Sequence, residues 1–303
     1  MYAGVCAKKT NVHIEQEYNM SHYPVHATSH ALPIESHLLA DALFSAPQPQ
    51  AVAEDVARLW LDEHLLHTCA HFSGPHDTLA QAQRSQLTLI CQQLHLQHGD
   101  TLLDMRCGWG ELACWAASHY GAFVHGYTHT STEYAYAVKQ VEQRGLQHLI
   151  TIKLADDQTL PEAGRYHKAV CLDMAEPLSA TETTACLAHM HAALKPGGRM
   201  LLHGMTAEND AGQPEGAAPL SNVAQLLAQI EHAQFEVFKV DSLRRQYVRT
   251  LRHWLANLEA QYEAIAASAG ERIYRNCQWW MTDHASRFEQ GYTDLYQILA
   301  IRK

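Results

Sequence analysis

The chain of 303 residues is poor in charge: 18% of it is Asp, Glu, Lys or Arg, against 47% apolar residues. That balance argues against a disordered chain, which could not bury enough apolar surface to fold. Basic residues are the scarcer sign, 22 against 32 acidic, and the net charge of −10 with His neutral argues against non-specific nucleic-acid binding. Long hydrophobic runs are missing, so no stretch reads as a membrane span, and the N-terminus lacks a basic-then-apolar leader. The eight cysteines, at 6, 69, 91, 107, 114, 171, 186 and 277, include no CxxC pair. That spacing argues against a zinc ribbon or a disulfide framework and fits a reducing cytoplasm.

Histidine, by contrast, is abundant at 22 residues. His22, His26 and His30 recur every four residues, but Pro24 interrupts any helix there. No cysteine or carboxylate completes a ligand set, so no metal site is expected. The length suits one large α/β domain or two small ones.

Residues 1–50 lack steady periodicity and end in the breaker cluster "SAPQPQ"; an irregular N-terminal segment is expected there, with 51–303 forming one domain. Helical spacing runs through 51–66 and 78–95. The pattern then alternates. Strands are expected at 101–107, 122–128, 148–156, 167–174, 199–206 and 235–240, with helices at 110–120, 131–145 and 181–194 and one more before the sixth strand. Such alternation predicts a parallel sheet covered on both faces. Two long helices, 246–268 and 270–288, precede a last strand at 294–301. A ligand of such a sheet is expected at the carboxyl ends of the first strands, where Asp104–Gly110 falls.

More specific segments surround that loop. "WLDEHLLHTCAHF" at 60–72, "TLAQAQRSQLTLICQQLHLQHGDTLLDMRCGWG" at 78–110, "LLHGM" at 201–205, "SLRRQYVRTLRHW" at 242–254 and "GERIYR" at 270–275 occur in that order. Together they strongly resemble the cyclopropane fatty acid synthase family of S-adenosylmethionine-dependent methyltransferases, across about 51–303. The chain looks like the shorter members, without the extra N-terminal domain. The resemblance implies a Rossmann-like class I methyltransferase sheet with helices on both faces, N-terminal helices and a helical insertion before the last strand. It implies methyl transfer to a carbon–carbon double bond of a lipid acyl chain, in a dry apolar pocket with aromatic faces for a passing cation.

The resemblance also implies a bicarbonate base, held by residues that match Cys69, Glu176, His203 and Tyr247. Cofactor positions match at Asp104, Cys107, Gly108, Trp109, Gly110 and Thr128, with His129 beside it. Substitutions stand at Thr130, Glu133, His67 and Thr68, and Asp157 and Gln158 lie where the adenine would be gripped. His284 replaces a cysteine of the C-terminal helix, and 49–54 lacks the family's N-terminal segment. The largest departure is Arg106, where the family has a glycine. Its side chain has three options: to swing out, to reach the carboxylate of the methionine end, or to fill the pocket. The expectation is weakened but measurable cofactor binding.

Arg244, Arg245, Arg249 and Arg252, interleaved with Tyr247 and Trp254, form either a surface for anionic head groups or a helix face paired with acidic neighbours. The expected location is cytoplasmic, with or without peripheral contact at the inner membrane face. Two other readings stand beside lipid methylation: methylation of a small molecule or carrier-bound intermediate, and a binding protein that has lost catalysis.

Overall fold

The computed structural model describes residues 56–155, 163–172, 180–208 and 220–303. Segment 1–50 and His22, His26 and His30 lie outside the described residues, as do Asp157, Gln158 and Glu176. Residues 56–60 are helical, and Val56, Ala57 and Trp60 of that turn are buried. The helix predicted to reach 66 stops there, and Leu65 takes a left-handed φ of 49° that no helix continues through.

Helix α1 (Leu79–Gln93) starts from a capping box: the Thr78 hydroxyl accepts from the Gln81 N–H while the Gln81 carboxamide accepts from the Thr78 N–H. The chain then alternates β1 (Thr101–Asp104), α2 (Glu111–Tyr120), β2 (Phe123–Thr128), α3 (Ser131–Gln143), β3 (Ile150–Leu154), β4 (Tyr166–Cys171), α4 (Ala180–Ala193), β5 (Leu194–Ala207), α5 (Val223–His232) and β6 (Phe235–Ser242). Helices α6 (Arg244–Ala260), α7 (Tyr262–Ala269) and α8 (Glu271–Gln290) precede β7 (Thr293–Arg302).

The seven strands lie in the order β3-β2-β1-β4-β5-β7-β6. Pairings from β3 to β5 are parallel, whereas β7 runs antiparallel to both β5 and β6. The sheet is therefore mixed, not parallel throughout. The cause is the insertion: α6 leaves the end of β6 beside Ser242, and β7 returns at the same end, where Tyr296 pairs with Ser242. A chain that leaves and returns at one end must run back antiparallel.

Three further expectations are corrected. The strand expected over 101–107 ends at Asp104, because Met105 and Arg106 turn away into the loop. The helix expected over 246–268 breaks at Gln261, whose φ of −108° and ψ of 19° lie outside the α-helix. The fifth strand begins at Leu194, earlier than 199, with a register shift against β4.

Alternation along the strands divides the core in two. Leu102, Val124, Ile152, Val170, Leu201 and Leu299 face α1, α2 and α3. Their neighbours Leu103, Tyr127, Ala169, Met200, Leu202 and Ile298 face α4 and α5. A third cluster joins residues 56–72 to α6, α7 and α8 through Trp60, Tyr247, Trp254, Leu258, Ile265, Met281 and Phe288.

Candidate active site

The loop after β1 opens at the carboxyl end of the strand, at the switch point between β2 and β4. Asp104 closes the strand and is 1% exposed. Its Oδ1 is buried without a hydrogen-bond partner among the described residues. Burial lifts its carboxyl to about 7, against the pull of the Arg106 backbone N–H. The Cys107 N–H donates to the Tyr127 carbonyl at 2.8 Å and the Gly110 N–H to the Cys107 carbonyl at 2.8 Å, so the loop is tied to β2 and closed on itself.

Glycine is needed at two places here. Gly110, the N-cap of α2, has φ 86°, and a Cβ on it would stand 2.9 Å from the Ala137 Cβ of α3. A Cβ on Gly126, inside β2, would meet the Cys107 Sγ at 2.7 Å. Strand, loop and helix thus approach closely, and the free N–H groups of the first turn of α2 face the loop end. Arg106 is half-buried and does not sit in the left-handed region, so its backbone carries no strain from lacking a glycine.

At the end of β2, Thr128 is buried and donates to the Lys153 carbonyl at 3.5 Å, while His129 is exposed. Thr130 caps α3: its hydroxyl accepts from the Glu133 N–H at 3.1 Å and donates to the Glu133 carboxylate at 3.1 Å. Trp109 is buried edge-on to Tyr136 of α3, with centroids 5.3 Å apart, and the Arg58 guanidinium lies 4.9 Å from the Tyr136 ring centre. These features form one connected wall from residue 58 to α3.

Segment 67–70 links β5 to α6. The Thr68 hydroxyl lies 3.5 Å from Nδ1 of His203 in β5, and the Ala70 N–H donates to the Thr250 hydroxyl of α6 at 3.0 Å. Cys69 is fully buried in the same apolar cluster as Tyr247, three residues before Thr250, and burial pushes its thiol far up. Three of the four predicted base-site residues thus come from segments joined by hydrogen bonds; the fourth, Glu176, lies outside the described residues. Burial pulls His203 down to about 4, opposed by its bond to Gln297, so the ring is neutral at physiological pH.

Aromatic rings line the adjoining wall. His67 lies 5.4 Å from Trp60, 5.0 Å from Trp254 and 6.1 Å from Trp280. Tyr247 meets Trp254 and Phe288 edge-on. His284 donates from Nδ1 to the Trp280 carbonyl at 3.0 Å, and burial lowers it to about 4.

The arginine stripe is largely committed within the fold. Arg249 donates to the carbonyls of Gly74 and Pro75 at 2.8 Å each and covers the Phe72 ring, while Arg252 pairs with Glu289. That favours the helix-face reading for these two.

Two polar groups escaped sequence reasoning. Glu111, the first residue of α2, is 7% exposed and bonds His64 at 2.9 Å and Arg144 at 2.6 Å. Those partners hold its carboxyl low against burial, and Glu111 in turn raises His64. Gln297 of β7 accepts at Oε1 from His203 Nε2 at 3.0 Å and donates from Nε2 to Gln93 at 2.5 Å. One polar letter in the apolar run "LYQILAI" was its only local signal.

Comparison with known proteins yields one family and close folds. The family model described as mycolic acid cyclopropane synthetase matches residues 50–298. A probable fatty acid methyltransferase of Pseudomonas putida is 34% identical over 258 residues, covering 81% of this chain and 66% of that protein. The chain thus spans just under two thirds of that relative's length. The solved cyclopropane synthase MmaA2 of Mycobacterium tuberculosis is 26% identical with a TM-score of 0.76, covering 84% of this chain and 95% of that one. The mycolic acid cyclopropane synthase CmaA1, solved with SAH and CTAB, is 25% identical with a TM-score of 0.76, over 84% and 95%.

Proposed function

The chain belongs to the mycolic acid cyclopropane synthetase family, and from that premise we propose that it is an S-adenosylmethionine-dependent methyltransferase acting on a carbon–carbon double bond of a lipid acyl chain. One observation carries the reading: the glycine turn Cys107–Gly110 opens onto the N-terminus of α2 beside a buried carboxylate whose Oδ1 has no partner among the described residues. An amino-acid end of a ligand offers a carboxylate to the helix N-terminus and an ammonium to such an oxygen.

S-adenosylmethionine, when bound, supplies an electrophilic methyl group. Gly108 and Gly110 would let the backbone approach the methionine end, and Arg106, where the family has a glycine, would crowd it. Thr128, Thr130 and Glu133 would lie toward the ribose, with Asp157 and Gln158 expected at the adenine. Trp60, His67, Trp254 and Trp280 exclude water and present ring faces that attract positive charge on the acceptor. Cys69, His203 and Tyr247, with Glu176, would hold the bicarbonate expected as proton acceptor; the neutral His203 ring suits that place because it keeps a nitrogen lone pair that can accept the bicarbonate hydroxyl.

A smaller acceptor is favoured by one feature: Tyr247, Leu251, Trp254 and Leu258 are fully buried on α6, so the insertion packs tightly against residues 56–72. The test is incubation of the protein with radiolabelled S-adenosylmethionine and vesicles of monounsaturated phosphatidylglycerol. A 14-mass-unit gain on the acyl chain with loss of the olefinic protons supports cyclopropanation. Cofactor binding without transfer to lipid shifts the reading to a small acceptor, and absence of cofactor binding refutes the enzyme.

A further inference from the structure

His203 is oriented from behind by a chain of three glutamines. His203 and Gln297 are direct partners across the β5–β7 ladder, so their side chains leave the sheet on the same face. His203 Nε2 lies 3.0 Å from Gln297 Oε1, and the Gln86 amide nitrogen lies 3.5 Å from the same oxygen. Gln297 Nε2 donates to Gln93 Oε1 at 2.5 Å. Gln86 and Gln93 sit seven residues, two turns, apart on α1 and reach the strand from one helix face. The four side chains therefore lock one another.

The direction of each proton follows. A carboxamide oxygen only accepts, so two donors converge on Gln297 Oε1: the Gln86 amide and the ring N–H of His203. His203 must then carry its proton on Nε2 and keep a lone pair on Nδ1. Nδ1 faces the Thr68 hydroxyl, which donates to it at 3.5 Å, and Thr68 precedes the buried Cys69. Gln83 holds that same segment by donating to the Thr68 carbonyl at 3.1 Å. The sheet-facing side of α1 thus sets which nitrogen of the ring faces the candidate base site.

We propose that Gln297, oriented by Gln93 and Gln86, is a positioning residue that fixes His203 as the Nε2–H tautomer, with its Nδ1 lone pair turned to Thr68 and the Cys69 segment. Its bearing on catalysis rests on the methyl-transfer reading above; the tautomer itself does not. A ring with the opposite tautomer would present an N–H toward Thr68 and leave Nε2 bare against Gln297. An acceptor at the candidate base site would then become a donor.

The test uses the whole chain labelled with 15N-histidine and a two-bond nitrogen–proton correlation spectrum. The wild type is expected to show His203 with a protonated Nε2 and a bare Nδ1. Gln297→Leu is expected to give mixed or reversed tautomers, and at least a tenfold fall in methyl-transfer kcat with the KM for S-adenosylmethionine within twofold. Should that variant fail to fold, Gln93→Leu leaves Gln297 in place but unheld, and its His203 spectrum is expected to show a minor Nδ1–H population. A proton on Nδ1 in the wild type overturns the proposal, as does an unchanged His203 spectrum in the folded variants. If the wild type transfers no methyl group to any acceptor while the tautomer responds as stated, the proposed function falls and the positioning of His203 stands.

Discussion

Replacing Asp104 with asparagine separates what the buried carboxylate costs the empty protein from what it does for a ligand. Asp104 ends β1 at 1% exposure, with Oδ1 unpartnered among the described residues. Its carboxyl titrates at about 7 in the folded chain against an ordinary 3.8. Because the folded value is raised, the penalty is absent below about 3.8, grows as pH rises toward 7, and is full above it. A shift of that size is worth roughly 4 kcal/mol at high pH, and the part that develops between pH 5 and pH 8 is roughly 2–3 kcal/mol. Asparagine removes the charge but adds two N–H donors to a buried place, at a pH-independent cost of about 1–2 kcal/mol. The ligand-free variant should therefore be about as stable as the wild type at pH 5 and roughly 2–3 kcal/mol more stable at pH 8. Urea unfolding at both pH values reads the difference. Calorimetry at pH 8 should show the opposite sign for the ligand, with S-adenosylmethionine binding at least tenfold weaker in Asp104→Asn. A stability difference that does not change between pH 5 and pH 8 refutes the assignment of an unsolvated carboxylate at this position.

Gly126→Ala places a methyl 2.7 Å from the Cys107 Sγ and should destabilise the fold by about 1–3 kcal/mol in urea unfolding, with cofactor binding weakened as the loop shifts; Cys107→Ala in the same chain should recover part of both. Arg106→Gly should tighten S-adenosylmethionine binding about threefold to tenfold in calorimetry, a modest change because the arginine backbone is unstrained; lost binding would show that the guanidinium holds the ligand carboxylate. Glu111→Ala removes the carboxylate partner of the Arg144 guanidinium and of the half-buried His64 ring, and should cost about 2 kcal/mol at pH 7 by denaturant titration. Because Glu111 is held low, that difference should shrink as pH falls below about 4.5.

What the amino-acid sequence disclosed was local. Strand and helix periods and the glycines at 108 and 110 are decided by neighbours within a few residues, and the alternating elements from β1 to β6 fall near the ranges their patterns gave. The antiparallel β7 was not legible, because an apolar run such as 294–301 carries no mark of the direction in which it will pair. The break at Gln261 was missed because no glycine or proline announces it and both flanks have helical spacing. At the candidate site, resemblance supplied residue types and the fold supplied their relations. Thr68 meets His203 across 135 positions, and Gln297 meets Gln93 across 204. A glutamine reads alike in sequence whether it lies on a surface or holds a histidine, and only the sheet register distinguishes the two.

The place of β7 also governs when the protein can become whole. It is the last described strand to leave the ribosome, yet it lies inside the sheet, between β5 and β6. Until it is made, β6 has no neighbouring strand and β5 presents an open edge, so a nascent chain holds β1 to β5 as an incomplete layer with bare backbone groups along one side. His203 meanwhile lacks Gln297, since both sit on that open seam. Late closure of this kind favours slow folding and gives chaperones a window on an exposed strand. It also makes Thr293–Arg302 a fuse: a chain stopped before Thr293 would lose an interior strand of the sheet, the far edge that depends on it and the support of the histidine together.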